Sequence, residues 1–178
     1  QKVYDGWEQI QDPNGLKLSN NSYQTNPKVE SLGENIFLGF AQAYGDIKLY
    51  YQLLNSEITM LGEQVGTPIY DTFVPQSGFS LMYSSSGSSL YIAFSQLNSY
   101  FTDSDIYIQK FSENGDAQYS EPVLVVDNFL MDDNIIFVTE LDNSNVIIGY
   151  DSGSFAGTRS LVLAFDSQGN VLENWIDV

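Results

Sequence analysis

The chain has 178 residues, with 6 basic and 23 acidic side chains and a net charge of −17. Because this charge repels nucleic-acid phosphates and anionic lipids, nucleic-acid binding is not expected. Membrane insertion is not expected either, since no apolar stretch approaches the ~20 residues of a membrane span. The absence of Cys and His excludes thiol catalysis, zinc–thiolate sites and Ser-His-Asp hydrolysis.

The first elements point to short strands joined by tight turns, in keeping with 12 Tyr, 11 Phe and 14 Gly. Residues 1–26 are expected to hold the outer strand of a preceding unit and a connecting loop. Residues 27–74 then form a first unit, in which the phrase NIFLGF at 35–40 is followed by the segment DIKLYYQ. Beyond that segment, Asn55 tolerates the positive φ of a hairpin turn, so a further strand is predicted.

The same order of segments returns twice along the chain, at a spacing of about 55 residues. Residues 75–131 contain SLYIAF at 89–94, then DIYIQKF, and residues 132–178 contain NVIIGY at 145–150, then SLVLAF. Four short antiparallel strands at this period are typical of a β-propeller blade. The predicted fold is therefore all-β, a β-propeller-like array of about three four-stranded antiparallel blades within a larger or completed propeller. A β-sandwich is the alternative, although it does not require the whole order to repeat.

Each repeated phrase has a polar residue, three apolar residues, a small residue and an aromatic residue. The second strand of a blade is packed on both faces, so it reads as a continuous apolar run. A small residue within it lets the neighbouring sheet approach closely. We therefore expect Gly39, Ala93 and Gly149 to be buried at equivalent places in successive blades.

The stretch NGLKLSNNSYQTNPKVESLGENIFLGF, followed by DIKLYYQ, resembles the repeat of bacterial secreted propellers. That repeat contains Gln-x-x-Pro, an apolar strand ending in Trp, and then Asp-Ile-Tyr-x-Gln. The matching residues are Gln24, Asn26, Pro27, Asp105, Ile106, Tyr107 and Gln109. The strand-ending Trp is replaced by Phe40, Phe94 and Tyr150. Because such repeats occur in cell-surface and type IX secretion cargo proteins, the resemblance implies a secreted or cell-surface bacterial protein, without implying an activity.

One loop face of the predicted propeller is longer and more aromatic than the other. It receives the loops between second and third strands and those between successive blades, whereas the other face receives short turns. Aromatic rings flanked by Asp and Asn are typical of surfaces that stack on sugars or dock proteins. The alternative is that individual rings turn inward and cap the core. The candidate ligand-face residues are Tyr44, Tyr70, Phe73, Tyr100, Phe101, Phe129 and Phe155.

Two acidic pairs fall on the same face. Asp103 with Asp105, and Asp132 with Asp133, offer the hard oxygen ligands that calcium prefers. No EF-hand spacing is present, and adjacent carboxylates in so acidic a chain are often simply solvated. Calcium is therefore the one cofactor considered, and none is expected otherwise.

These features favour a non-catalytic, exported binding or scaffolding module that recognises a protein or a glycan at the cell surface. The alternative is a carbohydrate-active enzyme, or the non-catalytic portion of one. A single arginine argues against a sialidase-type clamp, since several guanidinium groups are needed to hold a substrate carboxylate. Carboxylate pairs for a glycosidase are available in excess and do not discriminate. The sequence therefore predicts that the chain is not an enzyme, and it leaves the activity of any longer parent chain open.

Three blades cannot close a ring, and an open array exposes apolar sheet faces at its ends. We expect further repeats, a second copy or a partner protein to cover them. The segments around Trp7 and Trp175 are expected near that junction.

Overall fold

The computed structural model describes residues 24–177 apart from 45, 58, 62–65, 71–75, 85–87, 98–102, 128–130, 142–144 and 155–156. Every regular element in these ranges is a strand, which confirms the predicted all-β fold. None of the described residues belongs to a helix that could span a membrane.

Blade 1 is a five-stranded sheet in which neighbouring strands are antiparallel. Its three long strands follow one another as a meander, and two short strands pair side by side along the third. The strands are β1 (Gln24–Leu32), β2 (Asn35–Tyr44), β3 (Asp46–Leu54), β4 (Met60–Leu61) and β5 (Thr67–Pro68).

Blades 2 and 3 are four-stranded antiparallel meanders. Blade 2 contains β6 (Gln76–Ser84), β7 (Ser89–Leu97), β8 (Ser104–Ser112) and β9 (Val123–Val126). Blade 3 contains β10 (Asp132–Glu140), β11 (Val146–Ser154), β12 (Gly157–Phe165) and β13 (Val171–Asp177). One parallel bridge, between Ser104 and Asp132, joins the two blades into a single eight-stranded sheet.

The first strands of the blades lie side by side, β1 against β6 and β6 against β10, as in the centre of a propeller. Each first strand has an irregularity in its pairing with the second strand, between Thr25 and Lys28, Ser77 and Phe79, or Ile135 and Phe137. A bulge bends a strand and redirects the side chains beside it. The same bend therefore recurs in all three blades, near the end at which the first strand begins.

The repeated phrases form β2, β7 and β11, the second strands. Gly39, Ala93 and Gly149 lie in the middle of these strands and are buried, as the sequence predicts. A Cβ on Gly39 would lie 2.8 Å from Cε2 of Phe79 in the next blade, so glycine permits the approach of that ring. In blade 3 the ring of Phe137 covers Gly149, where a Cβ would overlap it.

Two apolar cores fill the spaces between blades. Phe37, Leu49 and Leu53 of blade 1 pack with Phe79 and Phe94 of blade 2. The second core joins Tyr91, Ala93 and Ile108 of blade 2 to residues of β11 and β12. Burying one such side chain contributes about 1.5–3 kcal/mol, so these two interfaces hold most of the fold's stabilising apolar contacts.

Tight turns at the opposite ends of the sheets also dock onto the preceding blade. The turn after β8 has Gly115 at φ 81°, beside Leu53 of blade 1, and the Tyr51 hydroxyl donates to the Gly115 carbonyl at 3.1 Å. The turn after β12 has Gly169 at φ 88°, beside Val123 of blade 2. There the Tyr119 hydroxyl donates to the Ser167 carbonyl at 3.0 Å.

Candidate functional site

The two acidic pairs meet where blades 2 and 3 join. The bridge between Ser104 and Asp132 brings the start of β8 beside the start of β10. The Ser104 hydroxyl lies 3.3 Å from the Asp133 carbonyl oxygen and 3.5 Å from Oδ1 of Asp132. We call this region, with Asp103, Asp105, Asp132 and Asp133, the acidic end of the array.

Three of the four carboxylates at the acidic end are buried. Asp103, Asp105 and Asp133 are 2, 5 and 0% exposed, whereas Asp132 is exposed. Burial of a charged carboxylate carries a large desolvation cost unless it is paired or bound. Buried carboxylates gathered at one place are typical of a functional site.

Asp105 has the most unusual environment of the group. Burial raises the pKa of its carboxyl to about 6, and the charges of Asp127, Asp103 and Asp133 also raise it. Its Oδ1 is buried and has no hydrogen-bond partner among the described residues. Asp105 can therefore be protonated in mildly acidic solution, and Oδ1 is a buried polar atom whose hydrogen bonding the described residues do not satisfy.

A polar layer beside Asp105 connects blade 2 to blade 1. Gln96 lies directly opposite Asp105 in the pairing of β7 and β8. Oε1 of Gln96 accepts from Nε2 of Gln76 at 3.2 Å, and Oε1 of Gln76 accepts from the Leu49 backbone N–H at 2.8 Å. Both amides are buried, and the Gln76 bond to Leu49 crosses to blade 1, so this pair holds the strand next to Asp105 in place.

These glutamines were missed by the sequence analysis, although a signal was present. Two residues after the aromatic residue of each repeated phrase stands a polar residue, namely Gln42, Gln96 or Ser152. All three are buried, at 7, 6 and 4% exposure. Extending the phrase by two positions would have identified a polar layer at the acidic end of every blade.

The blade 2 and blade 3 boundary has a polar contact of its own. The buried Ser95 hydroxyl accepts from the Ile135 backbone N–H at 3.2 Å, at the irregularity in β10. This bond satisfies a backbone donor at the boundary between the two blades. It holds the start of β10, and with it Asp133, against blade 2.

Of the predicted aromatic ligand-face residues, Tyr70 can be placed. It is partly buried and packs against the core between blades 1 and 2, as the alternative of inward-turned rings predicts. The others lie outside the described residues: Phe73, Tyr100, Phe101, Phe129 and Phe155, together with the side chain of Tyr44. Their role as a ligand surface stays a prediction.

The calcium hypothesis also stays a prediction. Within the described ranges, no group of three or more acidic side chains is arranged to hold a metal ion. The structure does place Asp103, Asp105 and Asp133 close enough for their charges to interact, as the raised pKa of Asp105 indicates.

The fold is similar to those of solved carbohydrate-active proteins. An endo-arabinase from Bacteroides thetaiotaomicron VPI-5482 matches with a TM-score of 0.59 and 15% identity, over 85% of this chain and 59% of that one. A candidate glycosidase from the same organism matches with a TM-score of 0.54 and 8% identity, over 93% and 56%. An N-acetylgalactosamine deacetylase from F. plautii, in complex with blood group B trisaccharide, matches with a TM-score of 0.52 and 7% identity, over 86% and 52%.

The chain thus spans little more than half the length of these proteins. No protein-family model and no curated protein matches the sequence. At these identities the likeness shows the fold, a propeller-type repeat shared with bacterial carbohydrate-active proteins.

The prediction that the chain is not an enzyme is wrong in the light of these comparisons. Proteins of the same fold include an endo-arabinase and a candidate glycosidase. The sequence argument failed because it treated abundant carboxylates as uninformative, while the fold buries a few of them together at one end. Glycoside hydrolysis needs two carboxyl groups and neither His nor Cys, so the composition does not exclude it.

Proposed function

We propose that the chain is part of a carbohydrate-active protein of the glycosidase type, with its reacting groups at the acidic end. The observation that carries the proposal is Asp105, a buried carboxyl with a pKa raised to about 6 and an oxygen without a hydrogen-bond partner among the described residues. A general acid for glycoside cleavage needs a raised pKa, which keeps it protonated until the glycosidic oxygen takes up the proton.

In this proposal Asp105 donates its proton to the glycosidic oxygen as the bond between that oxygen and the anomeric carbon breaks. Asp133 is the second carboxylate and accepts a proton from the water whose oxygen bonds to the anomeric carbon. The two groups differ in environment, since Asp105 lies on β8 beside Gln96 and Asp133 lies on β10 opposite Ser152. Unequal environments are what separate an acid from a base in such pairs.

The similar structures support the carbohydrate class of substrate. One is an endo-arabinase, and another was solved with a bound trisaccharide. A neutral glycan is the form that fits best, because the acidic end brings together several carboxylates that would repel an anionic sugar.

The experiment is hydrolysis of a panel of neutral oligosaccharides containing arabinose, galactose or N-acetylgalactosamine, followed as reducing ends at pH 5. We expect turnover to fall by about 100-fold or more in Asp105→Asn, and wild-type activity to decline as the pH rises through about 6. Asp116→Asn is the matched control, since that exposed carboxylate follows β8 at its far end. Equal turnover in wild type and Asp105→Asn would refute the assignment. Binding of a glycan without turnover would also refute it, and would show that the chain recognises the glycan without cleaving it.

A further inference from the structure

We infer that the outer face of blade 3 is a docking surface for a fourth blade, meaning another four-stranded antiparallel unit of the same kind. The surface consists of Phe137, Ile147, Gly149, Val162 and Ala164, which share one side of the sheet through their register. We call it the open face.

The open face is equivalent to a face that is covered within the chain. Gly149 lies opposite Val162 in blade 3, just as Ala93 lies opposite Ile108 in blade 2. Ala93 and Ile108 belong to the core that blade 3 completes. By the same register, Gly149 and Val162 face the position that a following blade would occupy. Gly39 supplies a third example, since its face is covered by Phe79 of blade 2.

Exposure separates the open face from its covered equivalents. Ala93 and Ile108 are each 0% exposed, whereas Ile147, Val162 and Ala164 are only partly buried. Phe137 is 40% exposed, although its partner on the neighbouring strand, Gly149, is buried. An apolar surface of this extent, on a sheet whose equivalents are all covered, marks an interaction site.

The apolar surface continues toward the outer edge of blade 3. Val171 and Leu172, which follow the last turn, are 44 and 45% exposed. In blades 1 and 2 the corresponding region receives the turn of the next blade, through the hydroxyl groups of Tyr51 and Tyr119. Both interfaces within the chain therefore combine packing between sheet faces with a hydrogen bond to a turn of the next blade. Blade 3 has exposed apolar surface in both corresponding regions.

A second copy of the chain fits the open face less well than a further blade. A head-to-tail copy would have to present the outer face of its own blade 1. That face is already covered, since Leu38, Phe40 and Leu54 are 5, 2 and 5% exposed and Gly66 lies against the Phe40 ring. The net charge of −17 on each copy also opposes self-association.

The test uses the chain's own second blade as the probe. A copy of residues 71–127 is appended after Val178, and amide hydrogen exchange is measured in β8 and β12. In the 178-residue chain we expect β12 to exchange faster than β8, because its outer side is open. With the appended blade, exchange in β12 should slow at least tenfold. The matched control carries Phe79→Lys in the appended copy alone, which puts a charged group at the position that packs on the preceding blade within the chain and should restore fast exchange.

Three results would overturn the inference. One is a β12 that exchanges as slowly as β8 in the chain alone, because the face would then be covered already. Another is protection of β12 that rises with protein concentration, because the occupant would then be a second copy. The third is unchanged exchange in β12 with the appended blade, whether or not that blade acquires protection of its own.

Discussion

The carboxyl group of Asp105 combines three properties. It is buried, it lies near other negative charges, and one of its oxygens has no hydrogen-bond partner among the described residues. Each of these disfavours the ionised form or leaves it unsatisfied, so retaining the residue costs stability near neutral pH. Stability is commonly given up in this way where a group is needed for chemistry.

This cost gives a prediction with a defined sign. Because the pKa of Asp105 is raised in the folded state from 3.8 to about 6, the folded chain holds a proton that the unfolded chain releases between these values. Its contribution to stability is therefore present below about pH 4 and is lost as the pH rises through about 6. We expect Asp105→Asn to be about 1–2 kcal/mol more stable than wild type at pH 7, allowing for solvent screening, and the difference to shrink toward pH 4.

Urea unfolding at pH 4, 5, 6 and 7 measures this difference directly. Asp116→Asn is again the control and should follow the wild-type profile. A pH-independent gap between wild type and Asp105→Asn would mean that the carboxyl titrates normally in the folded chain.

Two glycines of the repeated phrase make a second residue-level prediction. Alanine at position 39 would press against Phe79, which is 3% exposed and fixed in the core. Alanine at 149 would meet Phe137, which is 40% exposed and has room to move. We expect Gly39→Ala to destabilise the chain by about 1–3 kcal/mol and Gly149→Ala by less than about 1 kcal/mol.

Thermal unfolding of both variants checks the ranking, with Gly78→Ala as a control because a Cβ there would have only an ordinary contact, 3.7 Å from Ile135. If position 149 proved the more sensitive, Phe137 would be held as firmly as a core residue. The open face would then be covered by something other than solvent.

At the scale of elements, the same turn closes each blade's outer hairpin. Asn55, Ser112 and Asp166 begin these turns, and a side-chain oxygen of each accepts the backbone N–H four residues on. The Asp166 carboxylate also accepts from Gln168 N–H and from the Asn170 side chain, and these hydrogen bonds lower its pKa. The chain thus uses neutral and charged versions of one turn.

This difference predicts that only the charged turn responds to acid. Since the pKa of Asp166 is lowered on folding, its stabilising contribution is present above the ordinary value of 3.8 and is lost as the pH falls through the folded value. Asp166→Ala should therefore lower the melting temperature at pH 7 but have a much smaller effect near pH 2. Asn55→Ala, the uncharged equivalent, should lower it equally at both. Parallel pH responses of the two variants would contradict the charged role of Asp166.

The strands were predictable from the sequence because both faces of each second strand are buried, which leaves an apolar phrase that repeats. The acidic end was only half predictable. Asp103 with Asp105 and Asp132 with Asp133 were visible as pairs, but the parallel bridge between Ser104 and Asp132 that unites them joins residues far apart in the chain. A pattern among neighbouring residues in the sequence does not predict such a contact. The same holds for the hydrogen bond from Gln76 to Gln96.

At the scale of the whole molecule, the three blades are joined by two apolar cores and by a polar layer that lies at one end. This separation gives the array an apolar interior and leaves its buried carboxylates at the end where β8 and β10 begin. Ligand sites in β-propellers and barrels commonly lie at such strand ends, because the scaffold is rigid and the loops can vary.

The polar layer should matter for holding the blades together. Ser95→Ala removes the acceptor of the Ile135 N–H at a fully buried position, so we expect a loss of about 1–3 kcal/mol. Ser160→Ala is the control, since its hydroxyl bonds Asp151 on the exposed surface. Chemical unfolding measures both, and equal small effects would show that water replaces the Ser95 contact.

The central claim is that the acidic end is where a carbohydrate binds. The most direct measurement is a crystal structure of Asp105→Asn soaked with a neutral oligosaccharide from the hydrolysis panel, because this variant retains the site and lacks the proposed proton donor. The account predicts sugar density within hydrogen-bonding distance of residue 105 and of Asp133. Sugar bound at the opposite turns around Gly115 and Gly169, or no bound sugar at millimolar concentrations of every member of the panel, would contradict it.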